Sequence, residues 1–96
     1  MNLGKSIKLC RTGQGLSQED LAKKIGMSIS YVSLLEKNLR DPSTSTVEKI
    51  ADALEVPLSV LTFLAAEPRE LKGIPSDVRD KLASVAIMLL NAKQRS

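Results

Sequence analysis

The sequence predicts an all-α fold, and three observations support that prediction. Apolar residues recur at helical spacing in several consecutive segments, as in Leu21, Ala22 and Ile25. Serines that can cap a helix start and glycines that can end a helix separate these segments. Aromatic residues are almost absent, with one Tyr and one Phe in 96 residues, so the core must be aliphatic, which disfavours a β-rich architecture.

Composition limits both the size and the chemistry of the protein. Ninety-six residues make one small domain with an appended element, and such a domain is often stabilised by a partner subunit. With no His and one Cys, most metal sites and all His-based catalysis are excluded, so we expect no metal, no cofactor and no enzyme activity. No apolar run could span a bilayer and no signal peptide is visible, which predicts a cytoplasmic protein without membrane contact.

The first helix is predicted over residues 2–12. Leu3, Ile7 and Cys10 form its inward face, and Cys10 is expected to be a small buried hydrophobe. Lys5, Lys8 and Arg11 lie on another face. The net charge of +3 is too small to indicate a nucleic-acid partner by itself, so the placement of such basic residues matters more than their number.

Residues 17–39 predict two helices that meet at a tight turn. Ser17 is a candidate N-cap with Asp20 as its partner, and Gly26 tolerates the positive φ that a sharp reversal needs. Ser28 begins the second helix, where Val32 and Leu35 face the core. The exposed front of this second helix is predicted to hold Ser28, Ile29, Ser30, Ser33 and Leu34.

The rest of the chain predicts three further helices and a linker. The helices cover residues 46–54, 58–65 and 76–94, and the first of them follows Pro42 with Ser43 as a candidate cap. Residues 67–75 contain two prolines, a glycine and mixed charges, which is typical of a linker.

The last helix is predicted to be a dimerisation element. Its apolar residues occupy more of the circumference than one neighbour can cover, so we expect one side to dock near Leu61, Phe63 and Leu64 and the other to pack against a second subunit. A heterologous protein partner is the alternative. The predicted dimerisation residues are Val78, Leu82, Val85, Ala86, Leu89 and Leu90.

These features together resemble the Cro/XRE-type helix-turn-helix family, the phage-repressor-like DNA-binding domains, over about residues 3–66. The residues that carry the resemblance are Leu16, Ser17, Gln18, Leu21, Ala22, Ile25, Gly26, Val32, Ser33, Glu36, Pro42, Ser43, Ile50, Ala51, Leu54 and Val56. The resemblance implies a five-helix DNA-binding domain over residues 1–66. It does not cover the rest of the chain, where the sequence pattern itself predicts the linker over 67–75 and the C-terminal dimerisation helix over 76–96. Asn38 and Glu55 stand where the family commonly has Gly.

The resemblance also implies roles for individual residues. Gln18, Lys37, Arg40 and Arg11 would contact DNA phosphates, and Arg11 would also form a structural ion pair with Glu36. The exposed front of the second helix would contact bases. Without Gln, Asn or Arg there, we expect Ile29 and Leu34 to contact thymine methyl groups and the serines to form single hydrogen bonds.

The function implied is that of a sequence-specific regulator of transcription that binds double-stranded DNA. We expect a repressor that binds a palindromic operator as a homodimer, with no evident small-molecule ligand. The alternative is an antitoxin-type protein-interaction module whose C-terminal helix binds a partner protein.

Overall fold

The computed structural model describes residues 1–95, except the side chains of residues 68, 86, 87 and 89–95. Its regular structure is helical, with no strand in that span, which confirms the predicted all-α fold. Every α-helix starts within two residues of its predicted position. The α-helices are α1 (Leu3–Gly13), α2 (Gln18–Ile25), α3 (Ile29–Glu36), α4 (Thr44–Ala53), α5 (Leu58–Ala65) and α6 (Ser76–Arg95).

Side-chain caps fix the starts of the first four helices. In each, a side-chain oxygen accepts a hydrogen bond from the backbone N–H three residues later; the capping residues are Asn2, Ser17, Ser28 and Ser43. At α2 the cap is reciprocal, because the Asp20 carboxylate accepts from the Ser17 N–H at 2.9 Å. The backbone and then the side-chain hydrogen bonds of Ser17 lower the pKa of Asp20. Asp20 therefore favours folded α2 at neutral pH, and this contribution is lost only as the pH falls through the lowered pKa.

The same left-handed turn ends each of the first four helices. In each turn the next residue donates its N–H to the carbonyl five residues earlier, as Met27 does to Ala22 at 2.9 Å. Asn is the best substitute for Gly in this conformation, and Glu55 adopts it as well, so both departures from the family pattern keep the turn. The residues with positive φ in these four turns are Gly15 (74°), Gly26 (69°), Asn38 (59°) and Glu55 (56°).

Helix α1 lies at the centre of the fold, because α3, α5 and α6 all pack against it. Ser6 is fully buried in α1 and donates its hydroxyl to the Leu61 carbonyl oxygen of α5 at 2.5 Å. Cys10 is also fully buried, as predicted, and burial raises the pKa of its thiol to about 11. The buried apolar core consists of Ile7, Cys10, Leu21, Ala22, Ile25, Val32, Leu35, Ile50, Ala51, Leu54, Val56 and Leu61.

The C-terminal part refines the prediction in two ways. The predicted linker contains a 3₁₀ helix, Pro68–Leu71. Helix α6 packs against α1, and its Leu82 and Val85 line a groove with Phe63 of α5, one of the residues near which the sequence predicts docking. None of the helices described is both long enough and apolar enough to cross a membrane.

Candidate DNA-binding surface

Helix α3 has one buried side and one exposed side. Val32 and Leu35 are buried and attach α3 to the core. On the other side Ile29 and Leu34 are 48% and 36% exposed, although both are large apolar residues, and Ser30 is exposed as well. Folding thus leaves a mixed apolar and hydroxyl surface on α3 available to a ligand.

The other two residues of this predicted surface are more constrained. Ser28 uses its hydroxyl oxygen to cap α3, accepting from the Tyr31 N–H at 3.0 Å, while its own hydrogen remains available to another acceptor. Ser33 is half-buried. All five predicted residues therefore lie at the start and front of α3, but they differ in how accessible they are to a ligand.

A buried ion pair joins the end of α3 to α1. The Arg11 Nε atom donates to Glu36 Oε2 at 2.6 Å, and the Nη2 atom donates to Oε1 at 3.0 Å. The third hydrogen bond of the guanidinium runs from Nη1 to the Leu16 carbonyl oxygen at 2.8 Å. The two side chains are 10% and 4% exposed, so the pair is shielded from solvent. This geometry assigns Arg11 chiefly to structure, and its phosphate contact stays a prediction.

Gln18 is the first residue of α2, where backbone N–H groups have no acceptor within the helix. Its side-chain Nε2 atom donates to Glu36 Oε1 at 3.1 Å. The same carboxylate therefore holds both Arg11 and Gln18, which connects the start of α2 to the end of α3. One hydrogen of the Gln18 amide remains for an outside acceptor such as a phosphate oxygen.

Lys37 and Arg40 are exposed just beyond α3. The turn between them is attached to α1, because the Asn38 Oδ1 atom accepts from the Gly4 N–H at 2.9 Å and the Nδ2 atom donates to Asn2 Oδ1 at 2.8 Å. Sequence reasoning missed this role of Asn38. Nothing local in the sequence indicates it, since Asn38 and Gly4 are 34 residues apart.

The predicted dimerisation helix exposes apolar side chains. Val78, Leu82 and Val85 are 43%, 45% and 53% exposed, and Met88 is exposed as well. Between α6 and α5 lies a groove of about 290 Å³ lined by Ser59, Val60, Phe63, Leu82 and Val85. The predicted contacts of Ala86, Leu89 and Leu90 lie outside the side chains that the structure describes.

Comparison with known proteins identifies this architecture. The family model described as "Helix-turn-helix" matches residues 7–61, more than half of the chain. The HTH-type transcriptional regulator SinR of Bacillus licheniformis is 38% identical over 87 residues, which cover 85% of this chain and 78% of that protein. The ImmF control region 10 kDa protein of Bacillus phage phi105 is 41% identical over 71 residues, or 74% of this chain and 79% of that protein.

A longer relative matches in part. The immunity repressor protein of Bacillus phage phi105 is 38% identical over 61 residues, and this chain covers 42% of its length. The match spans 64% of this chain. Taken with the family model and with the capped α2–turn–α3 unit, these similarities show that the chain belongs to the Cro/C1-type helix-turn-helix family.

Proposed function

We propose that this chain is a sequence-specific, double-stranded DNA-binding regulator of transcription that acts as a repressor. The observation that supports this most directly is the exposed front of α3, held in place from behind by the Arg11–Glu36 pair. Relatives named as a transcriptional regulator and as an immunity repressor support the same assignment. A pull-down of genomic DNA bound to the native protein tests it, because recovery of one recurring palindromic site is expected and random recovery would refute sequence specificity.

The proposed mechanism places α3 in the major groove. A homodimer would insert two such helices into successive major grooves about 34 Å apart, which matches a palindromic operator. The bound dimer would block polymerase or another regulator at that operator. Backbone contacts would set the register of α3 on the duplex, and contacts with base edges would select the sequence.

Replacing Gln18, Lys37 or Arg40 singly with alanine should weaken binding to operator and random DNA by similar factors. Each side chain is proposed to contact phosphate, which carries no sequence information. For Lys37→Ala and Arg40→Ala, the slope of log affinity against log salt should fall by about 0.9, because one cationic contact is lost. Fluorescence anisotropy on both duplexes measures these quantities. A changed base preference with intact affinity would show that the residue reads bases instead.

Replacing operator thymines with uracil should weaken binding where Ile29 or Leu34 contacts a base. Uracil lacks the C5 methyl group, which is the only feature of thymine that an apolar side chain can recognise in the major groove. The expected loss is about 1 kcal/mol for each contact removed, comparable to a mild base-pair mismatch. Ile29→Ala should abolish the difference in affinity between thymine and uracil at the base that Ile29 contacts. Equal affinity for thymine and uracil at every position would contradict the methyl contacts.

Leu82→Asp should convert the proposed dimer into a monomer at micromolar concentration. Leu82 is 45% exposed on the apolar side of α6 and lines the groove beside α5, so a carboxylate there would be buried in the interface. Ser84→Asp is the matched control, because it adds the same charge at an exposed position of the same helix and should leave the dimer intact. Sedimentation equilibrium measures both. A dimeric Leu82→Asp variant would place the interface elsewhere, with α5 as the next candidate.

The exposed apolar side of α6 also favours a second candidate, an antitoxin-type module that binds a partner protein. In that case the wild-type chain would be monomeric alone and would form a stoichiometric complex with a second protein. A tagged pull-down compared between wild type and Leu82→Asp separates the two candidates, since a specific partner should be lost with the substitution.

A further inference from the structure

Arg40 lies over the aromatic ring of Tyr31. Its guanidinium carbon is 5.8 Å from the ring centroid, within the range of a cation–π interaction. Within the part of the chain that the structure describes, no carboxylate forms an ion pair with Arg40. The Tyr31 ring is the group that the structure shows over this cation.

The backbone before Arg40 is fixed by several hydrogen bonds. Asn38 has a φ of 59° and donates its N–H to the Leu35 carbonyl at 3.0 Å, and the Leu39 N–H reaches Leu34 at 2.9 Å. The Asn38 side chain additionally accepts from the Gly4 N–H of α1. This turn ends α3, and the guanidinium of Arg40 beyond it lies over the Tyr31 ring.

Tyr31 is itself held in place. Its backbone N–H donates to the Ser28 hydroxyl oxygen at the start of α3, and its half-buried side chain packs against the core. A fixed aromatic face next to an exposed arginine restricts the conformations that the arginine samples before it binds. An arginine that is already oriented loses less conformational entropy when it contacts a phosphate.

We propose that Tyr31 is a positioning residue for Arg40, and that its ring face prepares Arg40 for its DNA phosphate without contacting DNA itself. The inference rests on the proposed DNA-binding function. Lys37 is exposed beside the same turn, and among the described residues no aromatic ring forms a cation–π contact with it. Tyr31 should therefore affect the phosphate contact of Arg40 and not that of Lys37, so Lys37 serves as the control.

The test is a pair of double-mutant cycles measured by DNA affinity at fixed salt. Tyr31→Leu should weaken binding about two- to fivefold, the factor expected from an exposed cation–π contact. It should have the same effect in a Lys37→Ala background but less than about a 1.5-fold effect in an Arg40→Ala background, because the group it positions is then absent. An undiminished effect with Arg40→Ala would overturn the proposal and assign Tyr31 a merely structural role.

Tyr31→Phe separates the ring from the hydroxyl group. Phenylalanine retains an aromatic face, so it should recover most of the affinity that Tyr31→Leu loses. If Tyr31→Phe weakens binding as much as Tyr31→Leu, the hydroxyl contacts DNA directly and the proposal is wrong. Thermal unfolding of each variant sets a measuring temperature at which all of them are folded.

A measurement without DNA keeps this inference separate from the proposed function. In the NMR spectrum the Arg40 side-chain protons should show an upfield ring-current shift in wild type and Tyr31→Phe that disappears in Tyr31→Leu. Absence of that shift in wild type would overturn the positioning role whatever the DNA result. Presence of the shift without salt-dependent binding of wild type to any duplex would refute the proposed function and with it the phosphate role of Arg40.

Discussion

Replacing Glu36 with alanine is expected to lower the free energy of unfolding by about 3–5 kcal/mol, the usual cost of leaving one partner of a buried ion pair alone. The Arg11 guanidinium is 10% exposed and would keep only its bond to the Leu16 carbonyl oxygen. Gln18 would lose its acceptor at the same time. The variant should therefore also bind DNA more weakly, through a displaced Gln18 and a less firmly held α3. Urea unfolding and anisotropy measure the two effects.

Two control variants show whether burial causes this loss. Glu19→Ala removes an ion pair with Lys23 whose side chains are 59% and 76% exposed, and it should cost less than about 1 kcal/mol. The double variant Arg11→Met with Glu36→Leu removes both charges and should recover much of the stability lost by Glu36→Ala. If Glu36→Ala costs no more than Glu19→Ala, the pair does not stabilise the fold.

The features that the sequence predicts well are local. The cap at Ser17, the reversal at Gly26 and the apolar stripe of α2 each depend on residues within a few positions of one another. Their hydrogen bonds form inside one turn of chain, so residue type and spacing are sufficient to predict them. Once Val32 and Leu35 are assigned to the core, the remaining side of α3 is predicted to be its exposed front.

The features that the sequence does not predict depend on distant segments. Arg11 and Glu36 are 25 residues apart, and only the family resemblance pairs them. The ring contact of Arg40 needs the exact direction of the chain after Asn38. The position of α6 depends on which surface of α1 and α5 remains free after the other helices pack, and periodicity within α6 carries no information on that surface.

Gly4 is the clearest of these long-range features, and Gly4→Ala is expected to be destabilising. A Cβ atom at this position would lie 2.5 Å from the Glu36 carbonyl oxygen and 2.6 Å from the Leu35 carbonyl oxygen. Both are backbone atoms at the end of α3, so no side-chain rotation can relieve the clash. Overpacking of this kind costs about 1–3 kcal/mol. Replacing glycine with alanine within a helix stabilises the fold by about 0.5–1 kcal/mol, and this gain is smaller than the cost of the clash.

The same substitution should reduce DNA binding beyond its effect on stability. Separating α1 from the end of α3 would break the bond from the Gly4 N–H to Asn38, which holds the turn carrying Lys37 and Arg40. Gly15→Ala is the matched control, because nothing lies within 4 Å of its added Cβ and its cost, about 1–2 kcal/mol, comes from a φ of 74° alone. Measured where both variants are folded, Gly4→Ala should lose DNA affinity and Gly15→Ala should keep it. Equal affinities would show that the contact between α1 and α3 does not control the DNA-facing turn.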